Sequence, residues 1–154
     1  MKVMLRIKQA GISLLEVMLS LSIIALILVM ATKYFHVASN SQNLNRVRSQ
    51  VGVIITAINH LKSYQADYSQ INTTAIAQSA ALKDSGDVTT AGDIKNPWAS
   101  NITITPDASS TFVVLSTDLP SLSECESLKA GFASNEASCS DRTFELKVGT
   151  IVGS

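Results

Sequence analysis

The chain has 154 residues, with 12 Lys and Arg against 12 Asp and Glu, 16% charged residues and 46% hydrophobic ones. That length fits one domain of about 100–150 residues, or a smaller domain with an appendage, and excludes a large multidomain enzyme. The neutral sum excludes a nucleic-acid-binding polycation; a soluble domain has about 25% charged residues, so the hydrophobic surplus must be concentrated somewhere.

It is concentrated at the front. From Ile12 to Ala31 the chain is apolar except for Ser13, Glu16, Ser20 and Ser22. At 1.5 Å per residue such a run forms a helix about 30 Å long, one bilayer crossing. Apolar side chains surround it, leaving no polar face for water. Lys2, Arg6 and Lys8 precede it without an acid, which predicts a cytoplasmic N-terminus and export of the remaining chain. A secretory signal has a shorter apolar stretch, about 7–15 residues, ahead of a small-residue cleavage site. Here Thr32, Lys33, Tyr34, Phe35 and His36 follow instead. A plain anchor fits the length but leaves Glu16 unexplained, because an acid inside a bilayer helix costs about 2.5–3.5 kcal/mol at the centre and less toward the ends.

Around that carboxylate the sequence reads Lys8, Gln9, Ala10, Gly11, Ile12, Ser13, Leu14, Leu15, Glu16. This resembles the prepilin leader of type IV pilins: a short basic leader ending in Gly, then a mature chain with Glu at its fifth place inside an apolar helix. The resemblance implies that residues 1–11 are a leader peptide. A prepilin peptidase would cut between Gly11 and Ile12 and methylate the new amino group of Ile12, while residues 12–33 stay as a transmembrane and filament-core helix. Physically, a helix N-terminus carries partial positive charge, joined after cleavage by an α-amine. Glu16 of one subunit can neutralise the Ile12 amine of the next, so two groups that are costly alone in a dry environment satisfy each other on assembly. The alternative is a Glu near the headgroups that reaches water.

Leu44, Val47, Val51, Ile54, Ile55, Ile58 and Leu61 recur at spacings of three and four, so the helix is expected to run on from about Ser13 to Ser63. Residues 34–63 would be its amphipathic continuation, with the apolar stripe packed on a head of residues 64–154. A second helix is expected over Ala75 to Leu82, capped by Thr73 or Thr74. Strands are expected over residues 101–105, 111–116 and 143–148, where Phe144, Leu146 and Val148 alternate with Glu145 and Lys147. Ser121 and Glu124 read as a capping box for a short helix over residues 122–129. The fold class is therefore α+β, a long N-terminal helix packed on a small antiparallel sheet, which is what a pilin fold implies.

Asn96, Pro97, Trp98 and Ala99 form a second point of resemblance, to the AsnProTrpGly motif of type IVb pilins, including the thin-pilus pilins of conjugative plasmids. As chemistry they read as a turn with the single Trp filling the helix–sheet interface; exposure for receptor contact is the other reading. Cys125 and Cys139 lie on the side expected to be exported, where disulfides form. A bond there would contribute about 3 kcal/mol and tie the 122–129 helix to the last strand. The resemblance implies a C-terminal disulfide bounding a variable surface loop over residues 125–139; a free or redox-active pair is the alternative.

Nothing in the chain reads as an enzyme, a metal site or a cofactor site: His36 and His60 are far apart on the helix, and no HExxH, GxSxG or phosphate-binding Gly loop occurs. Glu124, Glu126 and Asp141 read as solvated surface. By segment the neutral total divides. Removing residues 1–11 leaves 9 basic against 12 acidic side chains. Residues 17–66 hold Lys33, Arg46, Arg48 and Lys62 and no acid, while residues 67–154 hold 5 basic and 11 acidic groups. A basic stalk and an acidic head are expected to attract between neighbouring subunits.

The functional expectation is a structural subunit of a type IV, specifically IVb, pilus serving adhesion, aggregation or conjugation. Alternatives are a minor pilin or a pseudopilin of a type II secretion or DNA-uptake machine, and a single-span, membrane-anchored exported binding domain. The implied partners are further copies of the chain, the prepilin peptidase, and an inner-membrane assembly platform with its ATPase. No direct nucleic-acid binding is expected. The precursor would sit in the bacterial inner membrane with its head exported, and the product in an extracellular pilus.

Overall fold

A computed structural model describes residues 13–83, 86–133 and 136–149. Gly11 and Ile12, with the leader before them, lie outside the described residues. The chain divides into two units, residues 1–40 and 41–154. The described part of the first is the beginning of helix α1, which runs from Leu14 to Lys62.

In the second unit the distal part of α1 buries Val47, Gln50, Val51, Ile54, Ala57 and Ile58. These positions recur every three or four residues and form one stripe, as a helix packed on a core requires. The expected second helix is two short ones, α2 (Thr73–Ala77) and α3 (Ala80–Lys83). Its cap is Asn72 and not a threonine: the Asn72 Oδ1 accepts from the Ala75 N–H at 2.9 Å. The break comes where the Ser79 carbonyl accepts from the N–H groups of Leu82 and Lys83, starting a fresh turn.

Five antiparallel strands follow: β1 (Ile94–Lys95), β2 (Asn101–Pro106), β3 (Phe112–Asp118), β4 (Ala137–Ser140) and β5 (Thr143–Gly149), in the spatial order β1-β2-β3-β5-β4. Helix α4 (Leu122–Lys129) lies between β3 and β4 in the chain. Alternation sorts the side chains. Ile102 opposes Thr117 and Thr117 opposes Phe144; Ile104 opposes Leu115 and Leu115 opposes Leu146. All six are buried, so these rows are the inner face, while Asn101, Thr103 and Glu145 point to solvent.

Strands β1 and β4 were not expected. Each is too short to show a period, and Ala137, Ser138, Cys139 and Ser140 have little intrinsic strand preference. The strand conformation of β1 comes from pairing with β2, and that of β4 from pairing with β5 and from the disulfide described below.

The free edge of β2 is closed by a side chain. Beyond Ile102 it has no β1 partner, and there the Thr73 hydroxyl accepts from the Ile104 N–H at 2.8 Å and lies 3.3 Å from the Ile104 carbonyl. One threonine thus occupies both the donor and the acceptor that a sheet edge leaves open.

Candidate functional site

The first unit holds the candidate assembly site. Leu14, Leu15, Met18, Leu21, Ile24, Leu28 and their neighbours are all exposed around the helix. The polar side chains among them are mostly satisfied by the helix itself. Ser20 donates to the Val17 carbonyl at 2.9 Å and Ser22 to the Met18 carbonyl at 2.8 Å. Thr32 lies within reach of the Leu28 and Val29 carbonyls, at 3.1 and 3.0 Å. Ser13 Oγ accepts from the Leu15 N–H at 3.3 Å in the opening turn. The hydroxyls of Ser20, Ser22 and Thr32 can therefore enter a dry medium without stranding a donor. Glu16 is different: its carboxylate is the one acid of this apolar segment, and its side chain has no partner among the described residues.

The four stalk cations are not equivalent. Lys33 is exposed in the first unit, whereas the other three make bonds within the second. Arg46 forms an ion pair with Asp87 at 2.8 Å. Arg48 Nη2 donates to the Ser127 carbonyl at 2.6 Å, in the last turn of α4, where a cation also meets the negative end of the helix dipole. Its Nε packs so closely on Gly131 that a Cβ there would come within 2.9 Å. Lys62 donates to the Gln65 and Ala66 carbonyls at 3.2 and 2.8 Å, closing the C-terminus of α1.

In the motif at 96–99 the chemistry sits on the asparagine. Asn96 is 4% exposed. Its Nδ2 donates to Thr117 Oγ1 at 3.0 Å and to the Asp118 carbonyl at 2.9 Å. Its Oδ1 accepts from the Trp98 and Ser100 N–H groups, both at 3.0 Å. One buried amide thereby ties the β1–β2 loop to β3. Trp98 is half-buried against the core, and Ala99 takes a left-handed backbone with φ of 62°. The sequence names Asn96 as part of the motif but puts the weight on the tryptophan, and the bonds of the asparagine amide are not legible there. The usable signal was Asn before Pro, followed three residues on by the place where the motif has Gly.

Cys125 and Cys139 form a disulfide, with Cα atoms 6.0 Å apart. It ties α4 to β4 and not to the last strand, which corrects the sequence expectation: β4 intervenes and pairs with β5 through Cys139 opposite Phe144. Nor does the capping box form as expected. Ser121 is the N-cap residue but makes no side-chain bond to a helix N–H; its hydroxyl instead meets the Glu124 carboxylate. That contact holds the Glu124 carboxyl below its ordinary value. Asp67 and Asp107 are lowered likewise, first by the hydroxyls of Ser69 and Ser109 and then by the N–H groups of the same residues. Among the described residues no group of three or more His, Cys, Asp and Glu side chains could hold a metal ion.

A long apolar-fronted helix, with its distal part on an antiparallel sheet and a lone glutamate in its first turn, defines a type IV pilin. Comparison with known proteins agrees. The model of the prokaryotic N-terminal methylation motif matches residues 6–32, and that of bundlin matches residues 36–120, more than half of the chain. The chain belongs to the bundlin family. Two curated relatives, each described as the major structural subunit of bundle-forming pilus, come from Escherichia coli O127:H6 (strain E2348/69 / EPEC) and Escherichia coli O111:H-. Each is 28% identical over 110 residues, covering 71% of this chain and 57% of the relative. The chain thus spans less than two thirds of the relatives' length. No solved structure matches.

Proposed function

We propose that this chain is the structural subunit of a type IVb pilus, cleaved after Gly11, N-methylated at Ile12 and polymerised through its apolar helix. The observation that carries the reading is Glu16, a carboxylate with no partner among the described residues, in an apolar segment whose Ser20, Ser22 and Thr32 hydroxyls bond to the helix itself. The family match and the relatives' description as pilus subunits support it. In the filament, Glu16 of one subunit neutralises the Ile12 amine of the next and so selects the axial register. Before assembly the precursor sits in the inner membrane, N-terminus cytoplasmic and head exported. Its partners are further copies of itself, a prepilin peptidase, an assembly platform with its ATPase and, where an outer membrane is present, a secretin. Its role is structural and not catalytic.

The attraction between basic stalk and acidic head remains part of the proposal, with Lys33 as its clearest donor. Filament integrity is expected to fall at high salt. Arg46→Glu and Arg48→Glu are poorer tests, since both residues bond within their own head.

The experiment is mass spectrometry of sheared surface filaments. It should find this chain abundant, beginning with N-methylated Ile12. Abundance only in the membrane fraction would shift the reading to a minor pilin or pseudopilin, and an unprocessed N-terminus would overturn it.

A further inference from the structure

Just past the apolar run, four consecutive residues change character together: Lys33, Tyr34, Phe35 and His36. All four are exposed, Tyr34 at 79% and Phe35 at 72%. At 100° per residue, four successive side chains wrap the helix completely. The feature is therefore a collar and not a face. Docking to a protein would mark one side of a helix and leave the other free. A circumferential band of cationic, imidazole and aromatic groups instead matches an environment that is the same all round. Aromatic rings and snorkelling cations settle in this way at the boundary between hydrocarbon and headgroups.

The spacing agrees. Lys33 lies 17 residues from Glu16, about 26 Å along a helix, against a hydrocarbon core of about 30 Å. With the collar at one boundary, Glu16 comes to rest just inside the other, within side-chain reach of water and headgroups. Between them Ser20, Ser22 and Thr32 hide their hydroxyls in the helix, so nothing in the intervening segment favours another depth.

We propose that Lys33, Tyr34, Phe35 and His36 form a lipid-headgroup collar that fixes the depth of the unassembled subunit in the bilayer, with Lys33 on the phosphates of anionic phospholipid. This rests on the membrane-inserted precursor of the proposed function. The collar holds Glu16 at the boundary, where its carboxylate stays reachable by the amine of an incoming copy.

The test uses the full chain carrying Ala38→Cys, reconstituted in sealed vesicles of phosphatidylcholine with a minority of phosphatidylglycerol, head outside. Labelling by an impermeant maleimide added outside reports depth at position 38, since the native cysteines are joined. Replacing all four collar residues with Leu lengthens the apolar run and draws its centre toward the head by about two residues, or 3 Å. Labelling of Cys at position 38 should then slow several-fold as that position is drawn closer to the hydrocarbon edge. A companion variant, Lys33→Arg with Tyr34→Trp and Phe35→Trp, should label at the original rate, and Lys33→Gln should lose the difference between vesicles with and without phosphatidylglycerol. Equal labelling of the parent and the four-Leu variant, with both resistant to alkaline extraction, overturns the collar while leaving the pilus reading intact. Extraction of both by alkali would show that the helix does not insert, and the reading beneath the collar would fail with it.

Discussion

Asn96 carries more of the head's stability than its exposure-neutral position in the sequence suggests. Its amide makes four hydrogen bonds in a buried site, and truncation would leave the Trp98 and Ser100 N–H groups and the Thr117 hydroxyl short of partners. Asn96→Ala is expected to destabilise the head by about 2–3 kcal/mol in urea unfolding. Ala99 presents the opposite case. Its φ of 62° suits glycine, so Ala99→Gly should stabilise by about 1 kcal/mol in the same assay. A loss of stability there would show that the loop relaxes in solution. At this scale the sequence was half legible: Pro97 marked a turn, but a buried amide cannot be recognised until its acceptors on β3, 21 and 22 residues further along the chain, are brought beside it.

Among the elements, α1 and the three longer strands were readable because each is long enough to show its period. The edge strands and the divided second helix were not, since their conformation is imposed by neighbours. Thr73 is the clearest example, a residue that reads as a helix cap but closes the edge of β2. Thr73→Val keeps the shape and removes the hydroxyl; it should lower stability by about 1–2 kcal/mol and speed amide exchange at Ile104. Gly131 has a comparable role against Arg48. Gly131→Ala should cost about 1–3 kcal/mol by displacing the guanidinium from the end of α4, an effect that Arg48→Ala would largely abolish in a double-mutant cycle. The loop joining β2 and β3 has a pH signature. Asp107 has a lowered pKa in the folded state, so its contribution is present above the unfolded value and lost as pH falls through the folded one. Protection of the Ser109 amide should disappear in acid, and Asp107→Asn should remove that dependence.

For the whole molecule, the neutral charge total conceals a division of labour. Residues 1–11 carry three bases and no acid, the apolar run carries one carboxylate, and most of the acids lie on the head. The resemblance to pilins rested on the register of Gly11, Ile12 and Glu16, which needs no three-dimensional information. The two units also explain why the stalk cations were only partly legible: charge counting shows an excess of Arg and Lys on α1 but not that Arg46, Arg48 and Lys62 are already bonded within the head. On the proposed function, what is left for assembly is the circumferentially apolar segment, Glu16 and Lys33. The most direct measurement is therefore electron microscopy of surface filaments from cells expressing Glu16→Gln, alongside membrane fractionation and N-terminal analysis of the same variant. The variant should be inserted, cleaved after Gly11 and folded with its disulfide intact, yet form no filaments. Normal filaments built from it would contradict the account.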